Sequence, residues 1–306
     1  MNYIKVSEAA EKWGLSHRRV RLLCAQNRID GVVQKGKLYM IPENAPKPID
    51  ARTLKGIKMS ERLSPLFHKI DALKAELDSK RPLTAGEAER LREQFMVDFT
   101  YNSNAIEGNT LTLKETSMVL EGMTIDQKPL KDHLEAVGHR DAFLYVEDIA
   151  KDTKISETVI KNIHSLVLMN RPDDKGNYRK IPVTISGAFT EPVQPYMIEP
   201  KIAELLSNDE KRKKTMHAIE RIARFHLEFE GVHPFIDGNG RCGRLLLNLD
   251  LIQNGYPAIN VKFTDRKKYY AAFDEFYENN NADAMIMLIA SYVIERIEQY
   301  LEILDS

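Results

Sequence analysis

The stretch Gly231-Val-His-Pro-Phe-Ile-Asp-Gly-Asn-Gly-Arg-Cys-Gly-Arg244 constrains this chain more than any other part of it. A helical pattern leads into it, with Met216, Ile219, Ile222, Ala223, His226 and Phe229 recurring at three- and four-residue steps. That helix is expected to end near Glu230, because Gly231 frees the backbone and Pro234 forbids immediate continuation. From Gly238-Asn239-Gly240 a second helix is expected to run to about Asn254, rich in inward-facing leucines. A helix that starts between glycines presents unpaired N–H groups and a positive dipole end, which suits a phosphate. Gly238 and Gly240 also lack the Cβ atoms that would hold a diphosphate away.

The polar residues of this stretch complete the picture. Arg241 and Arg244 are three apart, so both point from the first turns toward one region, where each guanidinium can grip phosphate oxygens bidentately. Asp237 can hold Mg2+, an ion that keeps several waters and bridges phosphates with few protein carboxylates. His233 is an imidazole placed to accept a hydroxyl proton near neutral pH. Base, metal carboxylate, anion cradle and two cations within one short segment outline a phosphoryl- or nucleotidyl-transfer site.

From about Leu54 onward the chain reads as mainly α. Helices are predicted near 59–79, 84–102, 112–122, 130–152, 156–169, 199–208, 215–230, 239–254, 266–279 and 282–303. One Pro-bounded β-hairpin is expected over Pro182–Tyr196. The apolar run Ala284–Ile294 is too short to span a bilayer and reads as a buried helix, and the N-terminus carries no signal-type apolar run. Two distant cysteines, Cys24 and Cys242, exclude a disulfide framework and a cysteine metal site, so a cytoplasmic setting is the expectation.

Residues 1–50 stand apart in charge. They carry nine Lys or Arg against five acids, a net +4, while the remainder is −5. Ser7 can cap a helix through Trp13, with Ala9, Ala10 and Trp13 on one face. Ser16 can cap a second to about Gln26, with Val20, Leu23 and Cys24 inward and Arg18, Arg19 and Arg21 outward. Two short strands, Gly31–Val33 and Leu38–Ile41, flank Gln34-Lys35-Gly36-Lys37, a hairpin signal. The layout resembles excisionase or MerR-like winged helices, which would make Arg18, Arg19, Arg21, Lys35 and Lys37 contacts to DNA. A protein-packing module with a solvated basic face fits the same pattern. The proline-rich stretch that follows reads as a linker, so the chain divides into 1–45, a linker at 46–56, a helical region at 57–150 and a core at 151–306.

His233–Arg244 resembles the Fic (Fido) family pattern His-x-Phe-x-Asp/Glu-Gly-Asn-Gly-Arg-x-x-Arg at all eight fixed positions. The resemblance covers about residues 90–300; Lys175-Gly-Asn-Tyr-Arg179 is similar to the family's lead-in, and Gly255-Tyr-Pro257 and Lys268-Tyr-Tyr270 to its continuation. It implies a helical bundle with a hairpin flap and an enzyme that moves AMP from ATP to a protein hydroxyl. His233 would be the base, and Asp237 would place Mg2+. The nucleotide stretch would be Gly238, Asn239, Gly240, Arg241, Cys242, Gly243 and Arg244, with no catalytic role for Cys242. Arg241 would hold the leaving pyrophosphate and Arg244 the γ-phosphate.

Tyr269 and Tyr270 resemble the adenine-side residues, although Tyr277 stands where relatives often have Asn. Thr184, Ile185, Ser186 and Gly187 would belong to a flap that pins an extended target by strand addition. Ser103-Asn-Ala-Ile-Glu-Gly-Asn109 resembles the family's inhibitory motif, implying that Glu107, with Ser103 and Gly108, takes Arg244 from the γ-phosphate. In some relatives the same glutamate supports AMP removal. The implied partners are ATP, a hydroxyl-bearing target (the chain itself included) and DNA, with room for a homodimer and none for a membrane. The alternative is a DNA-binding regulator whose Fic-type core is a sensor.

Overall fold

The computed structural model describes residues 3–13, 17, 20, 21, 24, 29, 31–35, 38–43, 45, 59–184 and 191–305. They fall into two units, Met1–Pro65 and Leu66–Ser306.

In the first unit β1 (Tyr3–Lys5) leads directly into α1 (Val6–Trp13), followed by β2 (Val33–Lys35) and β3 (Leu38–Pro42). The three strands form an antiparallel sheet ordered β1-β3-β2, with Ile4 opposite Ile41 and Lys35 opposite Leu38. Strand β1 was not expected, since three residues are too few to carry a period. Nor is Ser7 the cap of α1. It lies inside the helix, and the Lys5 N–H is instead satisfied by Glu8 at 3.0 Å. Ala9, Ala10, Trp13, Val20, Cys24, Ile29, Ile41 and Ala45 form the core. Most of the helix expected at 16–26 and the linker at 46–56 lie outside the described residues, as do Arg18, Arg19 and Lys37. Arg21 is exposed, and Lys35 lies in β2.

The long helices follow: α2 (Met59–Ser79), α3 (Ala85–Ile106), α4 (Leu113–Leu120), α5 (Leu130–Ile149), α6 (Glu157–Val167), α7 (Ile198–Arg212), α8 (Ala218–Val232), α9 (Asn239–Gln253), α10 (Arg266–Asn279) and α11 (Asp283–Asp305). Their starts are written in the sequence. Thr84 with Glu87, and Thr112 with Glu115, make reciprocal capping boxes for α3 and α4, and Ser156 caps α6. Helix α9 is buried almost all round and packs against α8, α6, α5 and α3. Such a helix belongs at the centre of a core, and Leu245, Leu246 and Leu249 join Phe95, Phe99, Phe143, Ile160, Ile163, Phe225 and Phe229 there. Helices from 57–150 and from 151–306 thus share one core. The polar residues that α9 buries are partnered across it: Arg221 holds Asp250 through two bonds of 2.6 and 2.7 Å, and Asn248 brackets the backbone of Ile259.

The hairpin expected over Pro182–Tyr196 is not a paired ladder in its described residues, 182–184 and 191–196. A side chain fixes its base instead: Arg179 donates to the carbonyls of both Ile181 and Val193. Ile185, Ser186 and Gly187 lie outside the described residues. Among the described residues no helix is long and apolar enough to cross a membrane, and Met285, Ile286, Ile289, Ala290 and Val293 of α11 are buried.

Candidate active site

Helix α8 ends on His233, whose φ of +48° lies in the left-handed region, and α9 opens on Gly238 with φ +78°. The six-residue loop between them is fixed from three directions. Asn239 accepts from the Phe235 N–H and donates to the Phe235 carbonyl, both at 2.9 Å. Arg179 donates through Nε to the His233 carbonyl at 2.8 Å, and its backbone N–H reaches the Pro234 carbonyl at 3.0 Å. His164, on α6, stacks on Phe235 with centroids 3.6 Å apart. Its Nδ1 accepts from the Gly176 N–H at 2.9 Å, so its Nε2 must carry the proton that meets the Asp237 carbonyl at 3.0 Å. The sequence marks Arg179 only as part of a lead-in, and leaves His164 as an ordinary core histidine.

Burial pushes the His233 imidazole down to about 4, with the Glu230 carbonyl opposing and Arg179 adding to the shift. The ring is neutral at physiological pH and able to accept a proton. Its Nδ1 is buried without a hydrogen bond of good geometry. Asp237 is pulled two ways. Burial alone would raise its carboxyl, but Arg241, the Gly238 N–H at 2.6 Å, Lys131 and Arg171 outweigh that and hold it low. Arg171 comes no nearer than 3.8 Å to its second oxygen, and the side chain is 34% exposed. One ionised carboxylate with an accessible oxygen, and no cluster of three metal-binding side chains among the described residues, fits an ion that takes its remaining ligands from phosphates and water.

Both arginines are buried and both face carboxylates. Arg241 lies 3.2 Å from Asp237 and 3.0 Å from Glu135 of α5. Arg244 donates through Nε to the Ser103 hydroxyl at 2.9 Å. Its Nη2 reaches the Ser103 carbonyl at 2.7 Å and the Glu107 carboxylate at 2.8 Å. Glu107 is the C-cap of α3, and Gly108 follows with φ +93°, a conformation that turns the chain away and leaves the glutamate projecting. A Cβ on Gly240 would run into that same carboxylate, so the space above the start of α9 is already taken.

Several expectations need correction. Helix α8 does not stop at Glu230 but continues to Val232; Gly231 is needed because the Tyr277 ring lies where its Cβ would be crowded at 3.0 Å. Tyr277 in turn donates to the Leu227 carbonyl at 2.7 Å. Cys242 is fully buried and Gly243 abuts Glu230 and His226, so these two face the core rather than the seat. Tyr269 is 2% exposed, with its hydroxyl 2.6 Å from His226 Nε2, and offers no open face to a base. Tyr270, 39% exposed, does. The Glu230 carboxyl was not foreseen at all. Burial drives it up to about 8 against the pull of Arg244, and one of its oxygens has no partner.

A mainly helical unit whose central helix opens on a glycine-lined anion seat, with a neutral imidazole at its mouth, defines the Fic type of fold. Residues 154–251 match the Fic/DOC family, so the chain carries a Fic domain. It is similar to the protein adenylyltransferase Fic of Nematostella vectensis, 32% identical over 285 residues that make up 88% of this chain and 64% of that protein. Protein adenylyltransferase fic-1 of Caenorhabditis elegans is 38% identical over 189 residues, 60% of this chain and 36% of that protein. The chain therefore spans about two thirds or less of these relatives. Among solved structures, a Fic-domain signalling protein of Bacteroides thetaiotaomicron superposes with a TM-score of 0.71 at 25% identity, covering 78% of this chain and 98% of that one.

Proposed function

We propose that this chain is a protein adenylyltransferase that moves AMP from ATP to a Ser, Thr or Tyr hydroxyl and is restrained by its own Glu107. The observation that carries the reading is the 2.8 Å pair between Glu107 and Arg244, the guanidinium that the γ-phosphate needs, made within a site whose base is already neutral. On this reading Nε2 of His233 takes the hydroxyl proton as the oxygen attacks the α-phosphorus. The oxygen–phosphorus bond forms, the bond to the bridging oxygen breaks, and pyrophosphate leaves. Gly238, Asn239 and Gly240 bring the start of α9 to the phosphates, Arg241 takes the departing pyrophosphate and Arg244 the γ-phosphate. Asp237 would hold Mg2+, which supplies charge neutralisation on the phosphates when bound. Tyr270 is the better placed of the two tyrosines to meet the base.

Glu107 fills the volume over Gly240 and neutralises Arg244, so ATP enters a seat short of one cation and crowded by one anion. Replacing Glu107 with Gly raises AMP incorporation from labelled ATP, and adding His233→Ala removes the gain. Equal incorporation by the parent and Glu107→Gly would overturn the brake. Release of AMP from a modified target by the parent chain would show that Glu107 also serves the reverse reaction.

The net charge of the N-terminal unit and its exposed Arg21 support a contact with DNA, readable as a gel shift that survives His233→Ala. Two free, buried cysteines suit a reducing cytoplasm.

A further inference from the structure

Arg241 has a carboxylate of its own, supplied from a different helix than the one carrying Glu107. Glu135 on α5 is 6% exposed, and its Oε1 lies 3.0 Å from Arg241 Nη1. Its Oε2 accepts from Asn109 Nδ2 at 3.0 Å, and the same amide also donates to the Asp132 carbonyl at 3.1 Å. One turn earlier, Asp132 accepts from both the backbone N–H and the hydroxyl of Thr110, at 2.8 and 2.6 Å. Two buried acids of α5 therefore grip the residues that directly follow Glu107 and Gly108, and one of the two also grips Arg241. Lys131 lies 3.5 Å from Glu135 but is 61% exposed, so its influence is screened.

This arrangement matters because Arg241 is buried and its other acidic neighbour is Asp237, at 3.2 Å. Taking one partner from a buried guanidinium leaves its charge under-compensated, which is costly. Without the Glu135 charge, Asp237 is the acid that still pairs with Arg241, and the position of the guanidinium is no longer set from two sides. We propose that Glu135 is a positioning residue, holding Arg241 from the side opposite Asp237 at the start of α9 and tying it through Asn109 to the chain that carries Glu107. The proposal rests on the adenylyltransferase reading for its chemistry but not for its binding test.

The experiment compares variants that all carry Glu107→Gly, so that the brake is not the readout. ATP, ADP and AMP binding are measured by calorimetry, and AMP incorporation into protein with labelled ATP. Glu135→Gln is expected to weaken ATP and ADP by about tenfold, the scale of losing one supporting charge beside a reactive centre, and to leave AMP unchanged. Incorporation falls about 10–100-fold, as for other supporting residues around a reactive centre. Asn109→Ala, which removes the bond to the far oxygen of Glu135 together with those to the Asp132 carbonyl and the Leu111 N–H, reproduces the pattern at about threefold and serves if Glu135→Gln does not fold. Unchanged or tighter ATP binding by both variants overturns the proposal, since Glu135 would then be a bystander or a competing charge. A Glu107→Gly parent that binds ATP yet transfers no AMP would sink the transferase reading, while the nucleotide series still judges Glu135.

Discussion

His233 and Glu230, three residues apart in the sequence, are pushed to opposite sides of neutrality by the same cause. Burial lowers the imidazole to about 4 and raises the carboxyl to about 8. On the transferase reading His233 acts as a base and must be neutral, so kcat/KM for AMP transfer should stay level down to about pH 5 and fall with an apparent pKa near 4, not near the 6.5 of free histidine. A limb centred near 6.5 would mean that the ring is solvated. Glu230 acts on stability. Its folded pKa is raised, so between the ordinary carboxyl value and about 8 the folded chain binds a proton that the unfolded chain has released. Stability is therefore lost as pH rises through that window, by up to about 1.4 kcal/mol per pH unit. Glu230→Gln should gain on the parent from pH 5 to pH 8 and then run parallel to it, as read by chemical denaturation. At this scale the sequence was legible where residues act within one segment. His233, Asp237, Arg241 and Arg244 lie within twelve positions, so spacing alone brings them together. Glu135, His164 and Arg179 come from elsewhere in the chain, and no local pattern marks an acid, a histidine or an arginine as the one that will reach the loop.

Helix α6 is the platform of the site, because His164 spends both ring nitrogens and its face on the loop before α9. Truncation to His164→Ala orphans the Asp237 carbonyl and the Gly176 N–H, at about 1–3 kcal/mol each. Lower denaturation midpoints, with a loss of AMP transfer in the Glu107→Gly background larger than the stability change explains, are the expected result. Wild-type transfer with a lowered midpoint would reduce His164 to core packing. Helix boundaries were the most readable feature of this chain, since capping residues and apolar periodicity are local. Thr84, Thr112 and Ser156 each stand where the reading placed a helix start. The hairpin was not readable in this way. Proline-bounded, β-branched residues signal extended chain, but among the described residues what joins Ile181 to Val193 is one guanidinium, and a side-chain clamp leaves no alternation to detect.

Each of the two units closes a core of its own, one around Trp13 and Ile41, the other around α9. A chain beginning at Met59 is therefore expected to unfold cooperatively and, with Glu107→Gly, to transfer AMP at the full-length rate, while any gel shift with DNA is lost. A truncated chain that melts without a cooperative transition would show the second core to be incomplete. Composition and charge set the N-terminal stretch apart, but neither could tell that α3 and α5 pack on the same central helix as α8, because that depends on which apolar faces meet. The carboxylate lying over Gly240 has one more consequence. On the proposed reading it is a tethered rival of the third phosphate, because it is part of the chain. Restraint of this kind would be a contest of occupancy, its depth set by how much nucleotide surrounds the molecule and by anything that loosens the end of α3.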